Sequence, residues 1–183
     1  METYNSVKAN EIEKLLSKLG LVFFISQSVE YNLVTIISLA QLSGEIDSEK
    51  SIRELMNTYY SYTMGRTKND LVNKLEIEDD LKEQLNKVIV ARNWLAHNFY
   101  REYGLSAFNQ EVRLLAFDKL NKAQELFEKT NELLVEVIYK KGERAGYSKE
   151  DIDGINERYQ KKCVDEVLPA EKFWEEELSK KGW

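Results

Sequence analysis

Cysteine and proline each occur once in this 183-residue chain, as Cys163 and Pro169, and histidine once, as His97. A lone cysteine closes no internal disulfide, and no basic-then-apolar leader with a small-residue cleavage site opens the sequence, so a reducing cytoplasm is the expected compartment. Eight glycines and one proline supply little material for the turns of a many-stranded protein, whereas Glu, Lys, Leu and Asn abound. The composition therefore points to helix. Positive charge is also scarce: 26 Lys and Arg against 32 Asp and Glu leave a net charge of −6, which excludes a broad electropositive face for gripping nucleic acid. Any such contact must be local. One His and one Cys far apart make no zinc-type ligand set, and the glycines form no phosphate-cradling loop, so no metal and no cofactor are expected.

What is present suits one folded core with a helical appendage: 43% of residues are hydrophobic and 32% charged. The most apolar stretch runs from Leu21 to Ile37, but Ser26, Gln27, Ser28, Glu30 and Asn32 interrupt it before the roughly 18 continuous apolar residues of a membrane span. It reads as a buried core helix over residues 10–42, with Gly20 its weak point. Ser48 would cap a second helix over 49–62, carrying Ile52, Leu55, Met56 and Tyr59 on one side. A short helix over 68–75 follows a break at Gly65, and Asp79-Asp80 open a helix that Gly104 ends. A long amphipathic helix over 106–141, with the stripe Val112, Ala116, Leu120, Ala123, Phe127, Leu134 and Val137, is expected to pack along the first. After Gly142 come short charged pieces, 148–165 and 169–181. Residues 1–142 are thus expected to form the bundle, and 143–183 a helical extension lying on it or on a partner subunit.

On the helix beginning at Asp79, Leu81, Leu85, Val88, Arg92, Leu95 and Phe99 fall on one stripe at steps of three and four. Arg92 sits in its middle. A guanidinium there needs an acceptor, and Glu30, isolated on an equally apolar helix, is the natural candidate. A purely structural Arg–Glu pair orienting two helices would satisfy the same pattern. His97 lies about 140° around the helix from Arg92, on a side shared with Val90, Trp94 and Arg101 that a monomer would leave wet. A subunit interface would account for both sides. Asn93, Ala96 and Tyr100 complete a dense polar constellation in an otherwise aliphatic segment. A surface histidine without a duty remains the plain alternative. The acidic runs Glu78-Asp79-Asp80 and Glu175-Glu176-Glu177 read as solvated helix ends or faces.

The string Arg92-Asn93-x-x-x-His97 resembles the Arg-polar-x(3)-His signature of the HEPN superfamily, small α-helical domains of prokaryotic defence and toxin systems and of some eukaryotic RNases. The resemblance covers residues 10–140 and implies an all-α, HEPN-like bundle of four to five main helices with a C-terminal helical arm. From toxin members it further implies metal-independent RNA cleavage, with Arg92 and His97 as the matching residues. Some toxin members are modified by a partner nucleotidyltransferase on a tyrosine two places after the histidine. That place is Phe99 here, and Tyr100 stands one step late.

Cleaving RNA without a metal requires removing the 2′-hydroxyl proton, stabilising the phosphorane and protonating the leaving 5′-oxygen. An imidazole can act as base or acid near neutrality, and a guanidinium can hold two phosphoryl oxygens. One chain owns one histidine, so a two-fold homodimer that brings two motif helices together is expected, acting on RNA in a toxin–antitoxin or antiphage setting. The expected catalytic residues are Arg92 and His97, supported by Asn93, Tyr100 and Glu30. Two other readings stay open. One is a catalytically inactive HEPN-like dimer that binds a nucleotide, RNA or protein. The other is an antitoxin-like partner using Trp94 and the arm.

Overall fold

Between residues 10 and 41 the chain has no proline and repeats its apolar side chains at helical steps, and in the computed structural model Glu2–Gln41 form one helix, α1, of 40 residues. The structure describes residues 2–41, 55–56, 58–74, 77–144, 146–154 and 157, and every regular element among them is helical. After α1 come α2 (Met64–Lys74), α3 (Asp79–His97), α4 (Phe99–Tyr103), a 3-10 turn (Gly104–Ala107) and α5 (Gln110–Arg144). Of the helix expected over 49–62, residues 55–56 and 58–60 are described and helical, with Met56 and Tyr59 buried; Ser61 and Tyr62 already form a turn and a bend, and residues 49–54 and 57 lie outside the described residues.

Several boundaries differ from the sequence expectation: α1 begins at Glu2 rather than at residue 10, and three others trace to a cap or a turn. α2 starts before Gly65 because Thr63 caps it: Thr63 Oγ1 accepts the Arg66 N–H at 3.3 Å. α5 starts late because Asn109 does the same for the Val112 N–H at 3.1 Å. The single helix expected up to Gly104 is interrupted at Asn98, whose φ of −113° and ψ of −23° depart from helical values.

α1 is long and apolar enough to cross a membrane by length and composition. Here, however, Val22, Val29, Leu33, Val34 and Ile37 are closed inside the fold. The serines and the threonine that interrupt its apolar run stay compatible with that packing by bonding back into the helix. Ser26 Oγ donates to Phe23 O at 2.7 Å and Thr35 Oγ1 to Tyr31 O at 3.0 Å. Ser38 is the exception, a buried hydroxyl with no hydrogen-bond partner among the described residues.

Side-chain hydrogen bonds fix how the long helices run. Arg113 pairs with Glu11, Lys18 Nζ donates to Gln124 Oε1, and Asn32 Nδ2 donates to Asn131 Oδ1 at 3.0 Å. Because the partners advance together along both chains, α1 and α5 are parallel. α3 runs antiparallel to α5, since Gln84 Nε2 donates to Thr130 Oγ1 at 3.2 Å while Lys119 Nζ lies 5.3 Å from the Trp94 ring, the partner numbers moving in opposite directions. The space between is filled by Leu33 and Val29 of α1, Leu71 of α2, Leu85 and Val88 of α3, and Leu120, Phe127 and Leu134 of α5, all fully buried. Burying side chains of this size contributes roughly 1.5–3 kcal/mol each relative to leaving them exposed.

The chain divides into two compact units, Met1–Ile138 and Tyr139–Trp183. In the second, Ser148 and Asp151 cap each other reciprocally: the Asp151 N–H donates to Ser148 Oγ at 3.1 Å and the Ser148 N–H to Asp151 Oδ2 at 2.9 Å. A helical turn over residues 149–154 follows, and Tyr139 Oη donates to Asp153 Oδ1 at 2.6 Å. The segment expected over 169–181, with Phe173 and Trp174, and the lone Cys163 lie outside the described residues.

Candidate functional site at the end of α3

α3 begins with Asp79 and Asp80 in its first turn, where their charges oppose the helix dipole favourably, and ends on His97. Leu81, Leu85, Val88 and Leu95 are buried, as the stripe requires, and Phe99 continues it across the Asn98 turn. Arg92, the one charge in that stripe, is half-buried. No ion pair or hydrogen bond joins it to Glu30, itself half-buried on α1, among the described residues. Half-burial removes the need for such a pair, because part of the guanidinium can still meet water.

His97 points away from the core. Asn93, Ala96 and His97 are exposed, Val90 is 70% exposed, and Tyr100, beyond the turn, is 83% exposed. The structure thus gathers Val90, Asn93, His97 and Tyr100 on the solvent side of one segment. Arg92 stays on the core side of the same helix, and Glu30 belongs to another helix altogether. Within one chain the two motif residues do not converge on a point. Tyr100 lies over Gly104, whose added Cβ would sit 3.6 Å from the Tyr100 ring carbons. Among the described residues no group of three or more His, Cys, Asp or Glu is placed to share a metal ion.

Two features are missing from the sequence expectation. Trp94 Nε1 donates to Glu102 Oε2 at 2.9 Å, and the Trp94 ring meets Phe99 at 5.7 Å and Tyr103 at 6.2 Å, both edge-on. The positions are five to nine apart and straddle a turn, so helical periodicity carries no signal for them. The second is Arg113, only 6% exposed, which donates to Ser106 O at 2.8 Å and pairs with Glu11. A signal for it did exist: Arg113, Ala116, Leu120, Ala123, Phe127, Thr130 and Leu134 step strictly by three and four, and all are buried, whereas Val112 and Val137 are only half-buried.

No family model matches the chain. No solved structure matches it either. A curated protein similar to part of it is botulinum neurotoxin type E of Clostridium butyricum, 31% identical over 114 residues. That stretch is 62% of this chain and 9% of the neurotoxin, so the similarity concerns one small piece of a far longer protein.

Proposed function

We propose that the chain is a HEPN-type, metal-independent endoribonuclease that works as a cytoplasmic homodimer in a toxin–antitoxin or antiphage setting. What supports this reading, beside the Arg92-x4-His97 resemblance, is the exposure of His97 at the end of α3 next to uncovered Val90 and Tyr100, with no ion pair at Arg92 among the described residues. A single protomer offers one imidazole and a guanidinium facing elsewhere. A second copy laid across this segment would bring two imidazoles to one groove, with the half-exposed Arg92 side chains at its edge, and cover the exposed apolar side chains.

In that groove one His97 takes the proton from the ribose 2′-hydroxyl, and the 2′-oxygen attacks phosphorus. The Arg92 guanidinium balances the charge of the pentacoordinate phosphorane, and the P–O5′ bond breaks as the other His97 protonates the leaving oxygen. The products are a 2′,3′-cyclic phosphate and a 5′-hydroxyl. Incubating purified protein with end-labelled RNA in excess chelator tests this: wild-type protein should generate cyclic-phosphate ends and His97→Ala should not. Equal rates for the two proteins overturn the reading.

The net charge of −6 favours a second reading, a non-catalytic dimer that uses the same exposed segment to hold a nucleotide, an RNA end or a partner such as an antitoxin or nucleotidyltransferase. It predicts wild-type RNA decay no faster than that of His97→Ala, together with co-purification of a partner that Tyr100→Ala abolishes.

A further inference from the structure

In an uninterrupted helix, residues eight apart are separated by about 12 Å along the axis, too far for an indole and a carboxylate to meet directly. Trp94 and Glu102 nevertheless bond at 2.9 Å. They do so because the chain turns at Asn98, where φ widens to −113° and α4 begins on a new course. The bond therefore closes across the corner, and His97 is the last residue before it.

Other contacts fasten the same corner. The Asn98 N–H donates to Trp94 O at 2.8 Å, the Glu102 N–H to Asn98 O at 3.0 Å, and the Gly104 N–H to Tyr100 O. The indole leans on Phe99 and Tyr103, whose own rings lie 5.7 Å apart, and Lys119 of α5 sits over its face. His97 is held on its N-terminal side one turn away, at Trp94, and on its C-terminal side through residues 99 to 103. Its imidazole makes no hydrogen bond among the described residues and is exposed. The backbone of His97 is thus anchored on both sides while its ring is left open to solvent.

We propose that Trp94 and Glu102 form a clasp that sets the direction in which α3 delivers His97, and that both are positioning residues. The inference rests on the reading in which His97 is the working group of the site, but it can be read without any reaction. His97 is the only histidine, so its imidazole gives one unambiguous set of ring resonances.

The test is hydrogen exchange and imidazole NMR on the full chain carrying Glu102→Ala, Glu102→Gln or Trp94→Phe. Glu102→Ala should speed exchange about five-fold at the amides of Asn98, Glu102 and Gly104, leaving the buried amides of α5 unchanged, and should move the His97 signal. Glu102→Gln, whose amide oxygen still accepts the indole N–H, should restore both. Trp94→Phe should resemble Glu102→Ala, and the double variant should add nothing further. If wild-type protein cleaves RNA, Glu102→Ala should lower kcat about ten-fold at unchanged KM, with recovery in Glu102→Gln. Unchanged exchange and an unmoved His97 signal in Glu102→Ala overturn the clasp, as does failure of Glu102→Gln to restore either. Cleavage by Glu102→Ala at the wild-type rate overturns its positioning role while leaving the proposed nuclease intact. Absence of cleavage in wild-type protein sinks the nuclease instead, and the exchange and His97 signals then decide the clasp alone.

Discussion

Arg113 grips Glu11 with one arm of its guanidinium and the Ser106 carbonyl with the other, tying the start of α5 to α1 and to the 3-10 turn before it. Its side chain is 7% exposed and that of Glu11 42%, so the cation is the buried member and the carboxylate is partly screened by water. Losing the cation leaves Glu11 able to rehydrate but leaves the Ser106 carbonyl unpaired. Arg113→Ala should therefore cost about 2–3 kcal/mol, below the range for breaking a fully buried pair. Glu11→Gln, which keeps an acceptor, should cost about 1 kcal/mol or less. Midpoints of urea unfolding would measure both; equal costs would show that the carboxylate, not the buried cation, dominates.

Arg92 and His97 should separate cleanly in their effects. Arg92 is half-buried and forms no ion pair among the described residues, so Arg92→Ala forfeits packing of its aliphatic stem and little electrostatic energy, about 1 kcal/mol. His97 is exposed, and His97→Ala should lie within about 0.5 kcal/mol of wild type. Thermal denaturation of the two variants checks this; a loss above about 3 kcal/mol for Arg92→Ala would reveal a buried charge partner.

Gly20 lies on the exposed side of α1, and an added Cβ would meet no atom of the described residues within 4 Å. Replacing it with alanine removes a flexible position from the middle of a 40-residue helix. Gly20→Ala should stabilise the chain by about 0.5–1 kcal/mol, read as a higher unfolding midpoint. Destabilisation would mean that another surface closes on that face in solution.

Tyr139 carries a pH prediction. Its hydroxyl donates to Asp153, and this hydrogen bond, with help from partial desolvation and the negative charge of the carboxylate, raises the phenol above its ordinary value of 10.0. A raised folded value favours the protonated form. The stability the bond contributes is complete below pH 10 and is lost as pH climbs through the higher folded value. Wild type should exceed Tyr139→Phe in the exchange protection of residues 149–154 by a constant margin up to about pH 10, and the margin should shrink above it. A margin that vanishes already at neutral pH would contradict the assignment.

Much of the helical frame was legible because apolar periodicity and backbone preference agree. α1, the α3 stripe and most of the α5 stripe follow from steps of three and four. Boundaries were less legible where two local signals compete, as at Thr63, whose cap prevails over the neighbouring Gly65, and at Asn98, where a polar residue inside a strong pattern turns the chain. The candidate site divides the same way. The exposure of His97 and the place of Arg92 in the stripe follow from α3 alone, since both depend on rotation about one axis. Whether Glu30 would meet Arg92 depends on how two helices slide past each other, which periodicity does not encode. The charge that does reach the interior, Arg113, was masked because Val112 beside it looked the better apolar choice.

The parallel course of α1 and α5 bears on how the protein is made. Glu11 and Arg113 are 102 positions apart, so at 5–20 residues per second roughly 5–20 s pass between synthesis of the first partner and the second. For that interval the apolar side of α1 has no α5 to cover it, and a nascent chain in this state is a natural client for any factor that shields emerging hydrophobic helices.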